Sequence, residues 1–558
     1  MKKHAIKICF GLLTLIVTGS SCKKFLDEKL YSQYTPGNFY RNTEEADGAL
    51  RGILNLYSGN ANYRLITIEE YGTDNVLNDA SRVLKQDDNL QFPRKDVKAT
   101  NNIIQTVYGD LYTSIYNCNG FIYNVKNSTW SGAMEAKRPQ YIAEALTLRA
   151  MAYFKLVRLF GPVPLVIDIK DNSPEGPIAI GRTPVAQVYA QIVKDLKEAK
   201  SLYIQEEARS PGYPGKILSR LMLAEVYLTM AGKPLEAGTQ YYQNAKDEAD
   251  TLINARAAGI TVPALVSFGK LFSVANENRG EILLSAQNYG IGSGQIWGAA
   301  GDFSYGALSF DLIREFDVSG PIDMTNPNRQ IRNVSPNTTA YDVSLYPSAS
   351  SCVDGRFYPT FWPFKGTWNA TTRLLPSYYD VFKYLTTPSL YTSQTVNRTV
   401  YPGKYRSDFP YNAGSAAAYP HYDKKANVIL YRWAEAFLIY AEADNELNGP
   451  QTGAIAAVNK IRRRAALLDL PAAQIASKDE FRTAIRKEWR LEFVSEGKHY
   501  YNLQRWGTLI TKVNAFVNEY NGYNPTDPMS LLKAGKNEIY PLPFGEIDRT
   551  GFQQNFGY

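Results

Sequence analysis

The sequence predicts a mainly α-helical protein, a scaffold of helical hairpins interrupted by an inserted loop-rich lobe containing short strands. Three observations lead there. Long stretches in both halves of the chain keep apolar residues at three- and four-residue spacing. Gly and Pro break those stretches at short intervals, as between antiparallel neighbours. From Gly259 to Ala426 the helical period is lost and Pro, Gly, Ser, Asn and Tyr dominate.

The strongest helix spans Tyr141 to Phe160. One apolar row runs Ile142, Leu146, Ala150, Tyr153, Val157 and Phe160, and a second runs Ala145, Leu148, Ala152, Leu156 and Leu159. Burial on two sides follows. Glu144, Thr147, Lys155 and Arg158 are left as a polar face, while Arg149 falls among apolar neighbours and needs a partner, because an unpaired buried charge is costly. Glu435 and Glu442 are the candidates for it. Gly161, Pro162 and Pro164 end the helix.

The other elements follow in chain order. Met1 to Ser21 has Lys2, Lys3 and Lys7 ahead of an apolar run, the layout of an export signal too short to span a bilayer. Small residues at Gly19, Ser20 and Ser21 precede Cys22, a pattern that resembles a bacterial lipoprotein cleavage site with Cys22 as the lipidated first residue; ordinary signal cleavage is the alternative. The following tract to Tyr40 reads as a tether. Asn42 and Thr43 ahead of Glu44 and Glu45 start a helix that runs to about Tyr57. Tyr71 to Pro93 is polar and turn-rich, and a helical pattern returns from Asn101 to Val125. Thr183 and Pro184 read as the cap and first turn of a helix to about Tyr203. Ile217 to Met230 and Thr239 to Ala258 complete this half, in pairs that look like tetratricopeptide-type units without a repeated consensus.

Within the lobe, Glu281 to Gln287 and Tyr379 to Leu385 read as strands and Leu308 to Phe316 as a short helix. Helices resume at Val428, with Leu430 to Gly449 and Ala454 to Leu467, and Ser477 with Glu480 forms a capping box for the next. The last segment, from Asn537, reads as extended and packed over the helices. The division is therefore a signal over 1–21, an N-terminal helical part over 22–258, a ligand-binding lobe over 259–426 and a C-terminal helical part over 427–558.

Composition narrows the chemistry. The mature chain keeps only two histidines, His421 and His499, which nearly excludes a histidine triad or a multi-histidine metal site. Losing the three signal lysines lowers the formal charge from +7 to +4, and no basic tract stands out, so nucleic acid is not an expected partner. Cys118 and Cys352 remain besides Cys22; Cys118 sits in a helical pattern and reads as a small buried hydrophobe. No cofactor is expected: GIGSG from Gly290 lacks the phosphate-loop pattern, and Asp302, Asp311 and Asp354 have no EF-hand spacing that would predict calcium.

Two motifs invite functional readings. Glu488, Glu492 and Glu496 recur every four residues and could do acid-base work of the glycosidase kind. Arg462, Arg463 and Arg464 on the preceding helix offer ion pairs instead, and that structural reading is preferred. The aromatic content is 13%, and Asp354 to Trp368 concentrates six rings between prolines and glycine, where no helix or strand period buries all of them. Tyr289 to Gly306 repeats the theme. Exposed rigid aromatics mark a binding surface, and sugars suit them, since pyranose C–H faces lie on aromatic planes.

In combination, IAEALTLRAMAYFKLVRLFGPVPL, YRWAEAFLIYAEADNELNG, AVNKIRRRA, IRKEWRLEFVSEGKHYYNLQRWG and IYPLPFGEIDRTGFQQNFGY, with Cys22 followed by KKFLDE, resemble the SusD/RagB family of outer-membrane glycan-binding lipoproteins across the whole mature chain. The resemblance implies a tetratricopeptide-like scaffold carrying a variable lobe. It implies a non-enzymatic protein, held on the outer membrane by lipidated Cys22 and facing the cell exterior, that captures an oligosaccharide for a SusC-like TonB-dependent transporter. Carried onto this sequence, it points to Asp74, Asn78 and Arg82 as hydrogen-bonding ligand residues and to Trp297, Tyr305, Trp362 and Trp368 as platforms. A surface glycoside hydrolase and a peptide-binding relative are the alternatives.

Overall fold

The computed structural model describes residues 40–78, 88–172, 176–266, 268–272, 274–287, 306–316, 354, 356, 360–363, 400–402, 404, 427–465, 467–523, 525 and 528–558. The export signal, Cys22, the tether to residue 39, Arg82, Trp297, Tyr305, Trp368, Cys352 and the strand-like run at 379–385 lie outside the described residues.

The N-terminal part contains α1 (Thr43–Asn55), α2 (Gly59–Tyr71), the short strand β1 (Val76–Asn78), α3 (Asn102–Lys126), α4 (Arg138–Phe160), α5 (Val185–Leu202), α6 (Lys216–Ala231) and α7 (Gln240–Ile253). Asn42 caps α1 by accepting the Glu45 N–H at 2.9 Å, and Asn101 caps α3 by accepting from Ile103 and Ile104. Cys118 is buried in α3 as a free thiol. Helix α2 forms where its polar, Gly- and Asn-led start gave no helical expectation. At α5 the cap is displaced by one residue: Pro184 takes it, because Thr183 is drawn into an antiparallel bridge in which its N–H meets the Val163 carbonyl at 3.0 Å. Helix α7 stops at Ile253, short of Ala258.

Helix α4 is the centre of the scaffold. All its residues except Arg138, Pro139 and Lys155 are buried, and it lies between α3 and α5. The expected polar face is therefore not a solvent face; each polar side chain is matched internally instead. Glu144 accepts from Gln140 and Arg209 at 2.9 and 2.7 Å, and Thr147 bonds Tyr203 and Ser219. Arg158 pairs with Glu225 at 3.0 Å, with its guanidinium 3.5 Å from the Phe154 ring and 3.6 Å from that of Tyr501. Arg149 has the partner it required, but not the expected one. Asp195 on α5 binds it bidentately at 2.7 and 2.8 Å, and Asn119 and the Ile167 carbonyl take the remaining donors. Helix α5 packs directly on α4 and so supplies the nearer carboxylate.

The described lobe residues include β2 (Ile282–Ala286), β3 (Gly306–Leu308), α8 (Phe310–Glu315), β4 (Phe361–Pro363) and β5 (Val400–Pro402). The chain leaves the lobe through β6 (Val428–Arg432), which is antiparallel to β2. This corrects the expectation of a helix from Val428. The apolar run of β6 merges in sequence with the helix behind it, yet its hydrogen bonds go sideways to the strand that enters the lobe, and Trp433 N–H closes the ladder on the Glu281 carbonyl at 2.8 Å.

The C-terminal part comprises α9 (Ala434–Asn448), α10 (Thr452–Arg464), α11 (Lys478–Glu492), α12 (His499–Arg505), α13 (Leu509–Tyr523) and α14 (Phe544–Thr550). From α3 to α7 each long helix packs on the next, α7 packs on α9, and α9 packs on α10 and α11. The row thus continues across the lobe, which is inserted between two helices that touch. Glu435 and Glu442 on α9 are held by Lys498 at 2.8 Å and Arg505 at 2.7 Å. The final segment packs over the helices as expected, with Tyr540 bonding the Leu159 and Ile68 carbonyls, but it also contains the helical turns of α14. No helix among the described residues is long and apolar enough to cross a membrane.

Candidate functional site

The four-residue spacing of Glu488 and Glu492 puts both on one face of α11. The chain then turns at Ser495 and Gly497, whose φ values of 61° and 70° lie in the left-handed region, and Glu496 rejoins the same cluster. All three carboxylates are buried. Glu488 accepts from Arg462 and Arg356, each at 2.7 Å. Glu492 meets Arg432 and Arg464, and Glu496 accepts from Arg432 at 2.7 and 2.9 Å and from Lys404 at 2.6 Å. Burial alone would raise the Glu496 carboxyl, but the charges of Arg432 and Lys404 outweigh it and bring it down to about 2. Glu488 is lowered in the same way by Arg356 and Arg462. The row is an internal ion-pair cluster, as its structural reading expected, although Arg463 points away to an exposed pair with Asp469.

The cluster fastens the lobe to the scaffold at four places. Arg356 in the aromatic tract binds Asp354 at 2.6 Å and reaches Glu488 on α11. Lys404, two residues beyond β5, donates to Glu496 and to the Glu492 carbonyl, and its ammonium lies within 5 Å of the Phe268 and Phe272 rings, at 4.8 and 4.9 Å. Burial, helped by the charge of Arg432, pushes Lys404 down to about 7 against the pull of Glu496. Glu281 at the start of β2 pairs with Arg464 at 2.9 Å, and Arg432 ends β6. Arg356, Lys404 and Arg432 carried no sequence signal of this role. Their partners sit on α11 and in the turn after it, roughly 60 to 130 residues later, a separation that no local period records.

A second anchor holds the segment after α2. Asp74 is buried and both its oxygens are occupied, Oδ1 by His499 Nε2 at 2.7 Å and Oδ2 by Arg490 at 3.0 Å. Burial would raise its carboxyl, and the neighbouring Arg490 and His499 hold it well below the ordinary range instead. Asp74, expected as a ligand contact, is thus a buried carboxylate with a partner on each oxygen, and in this structure it fixes the loop. Lys95 locks the same loop from behind, donating to the Tyr71 and Thr73 carbonyls at 2.8 and 2.6 Å, and burial pushes this amine down to about 7.

From these anchors short strands run together. β1 is antiparallel to β3, with Asn78 opposite Gly306, and the Ser309 N–H extends the ladder to the Asn75 carbonyl at 2.8 Å. β3 also lies against β5, and β5 is antiparallel to β4, with Trp362 opposite Tyr401. The strands therefore bring Asn78 and Trp362 into one neighbourhood on backbone placement alone. Gly306, one residue after Tyr305, is in it too. Arg82, Trp297 and Trp368 belong to segments outside the described residues. Among the described residues no group of three His, Cys, Asp or Glu side chains is placed to hold a metal ion.

Comparison with known proteins matches this architecture. The SusD family profile matches residues 323–558, and a SusD-like profile described as starch-binding, associating with the outer membrane, matches residues 24–220. The SusD-like protein P2 of Formosa agariphila is 26% identical over 580 residues, covering 100% of both chains. A SusD homologue from Bacteroides thetaiotaomicron superposes with a TM-score of 0.73 at 21% identity, over 94% of this chain and 98% of that one. A laminarin-binding SusD-like protein superposes with a TM-score of 0.62 at 20% identity, over 93% of this chain and 100% of its own.

Proposed function

This chain belongs to the SusD/RagB family, and on that premise we propose that it is a cell-surface glycan-binding lipoprotein that captures oligosaccharides without cleaving them. The observation that carries the reading is the strand neighbourhood β1–β3–β5–β4. It joins the loop after α2 to the aromatic-rich lobe, so residues from distant parts of the chain serve one binding surface. Starch in the name of the matching profile and laminarin in that of a structural neighbour support a glucan or related glycan as ligand class. Trp297, Tyr305, Trp362 and Trp368 act as stacking platforms, with Asn78 and Arg82 as hydrogen-bonding neighbours. Lipidated Cys22 holds the protein on the outer membrane, and several acyl chains make that anchorage stable. A SusC-like TonB-dependent transporter receives the ligand. The carboxylates that suggested a glycosidase are consumed in ion pairs, so no specific observation favours hydrolysis.

A polysaccharide panel in affinity gels, assayed in parallel for new reducing ends, tests the reading. Retardation without reducing ends supports it; release of reducing ends, or no retardation by any glycan, overturns it. Co-purification of a large β-barrel transporter from native membranes tests the partner.

A further inference from the structure

Arg490 on α11 reaches across two separate segments. Its Nε donates to Asn75 Oδ1 at 2.9 Å, and its Nη2 lies 3.0 Å from Asp74 Oδ2, so it holds the loop after α2. The same guanidinium meets Asp311 at 2.9 Å and Glu315, both on α8 of the lobe. Ser309 closes the arrangement. Its Oγ donates to the Asp74 carbonyl at 2.6 Å and accepts the Leu312 N–H at 3.1 Å, so the residue that starts α8 is tied to the residue that Arg490 grips. Three carboxylates, Asp74, Asp311 and Glu315, surround one guanidinium, and without it they would repel one another across the gap between scaffold loop and lobe. Only a planar fork with five donors can span acceptors on both segments; a lysine ammonium has the charge but not the reach.

We propose that Arg490 is a positioning residue for ligand capture, setting from the scaffold helix the separation between the loop after α2 and the β3–α8 unit of the lobe. Its consequence for binding rests on the glycan reading above; its geometry does not. Affinity is then governed in part by a residue of the scaffold helix, through the two segments it holds in register. This sets Arg490 apart from the cluster at Glu488, Glu492 and Glu496, which holds other parts of the lobe.

Hydrogen–deuterium exchange on the full mature chain, wild type against R490K, tests the proposal, with laminarin and starch gels run on the same samples. In R490K the amides of β1 and β3 should exchange together, about tenfold faster or more, while those of the β2–β6 pair stay unchanged. Retardation by whichever of the two polysaccharides holds the wild type should weaken. The partly exposed pair D311N/E315Q, which removes the lobe end of the latch and leaves Asp74 on Arg490, should raise β3 exchange even if R490K does not fold. Unchanged β1 and β3 exchange in a folded R490K, or an equal rise in β2–β6, overturns the proposal. A wild type that binds no polysaccharide of the wider panel overturns the glycan reading instead, and the exchange result still decides the positioning role.

Discussion

Asn78 of β1 lies opposite Gly306 of β3, more than two hundred residues away in sequence. That one pairing joins the turn-rich stretch after α2 to the strand that follows the Tyr289 to Tyr305 aromatic tract. It converts two loop regions that look unrelated in sequence into one candidate surface.

The proposed platforms should carry most of the affinity. Alanine at Trp297, Trp362 or Trp368 should weaken glycan retention, a central stacking ring costing about 2 kcal/mol, or roughly thirtyfold. Affinity gels and titration calorimetry on the three variants check this. Unchanged affinity in all three would remove the rings from the site.

Arg149 should matter to stability and not to sugar choice. Arg149→Met strands the buried Asp195 without its bidentate partner, at a cost of about 3–5 kcal/mol. Urea unfolding should show the loss, and the order of preference across the polysaccharide panel should be that of the wild type.

Stability should fall on the acid side. Glu496 is brought from an ordinary 4.5 to about 2, so its contribution of about 3 kcal/mol is present above pH 4.5 and lost as pH falls through 2. Glu488 and Asp74, also lowered, act in the same direction. Glu435, raised to about 7 by burial, works the other way, withdrawing stability as pH rises from 4.5 to 7, whereas Lys404, lowered to about 7 by burial, regains stability only as pH rises above 7 and leaves the acid limb unchanged. Unfolding midpoints measured from pH 7 to pH 3 should therefore drop most steeply below pH 4.5, and E496Q should flatten the drop.

Two glycines with nearly the same φ should respond differently to alanine. Gly551 has φ +69° and open space where a Cβ would stand, so G551A should cost about 1–2 kcal/mol from the backbone alone. Gly497 has φ +70°, but its Cβ would overlap Glu69 Oε2, and Glu69 holds Lys155 and Tyr501 in the core. G497A should cost clearly more in denaturant titrations. Equal losses would show that the Glu69 side chain yields freely.

The helices were largely legible because a 3.6-residue period is a local property. Arg149 announced its need for a carboxylate by sitting among apolar residues, yet only the order of helices along the row decides that Asp195, and not Glu435 or Glu442, is beside it. Val428 to Arg432 reads as helix in sequence because its apolar run continues into α9; the partner that makes it a strand lies at Ile282, across the whole lobe. Asp74 shows the limit for the site. A turn-rich, polar segment suits both a ligand loop and a buried anchor, and the residues that distinguish the two, Arg490 and His499, are more than four hundred positions away.

The most direct test of the central claim is hydrogen exchange on the mature protein with and without oligosaccharides from the polysaccharide that retards it most. Protection should appear at residues 76–78, 306–308, 361–363 and 400–402 and be absent from α5, α6 and α7. Protection confined to those scaffold helices, with the four strands unaffected, would contradict it.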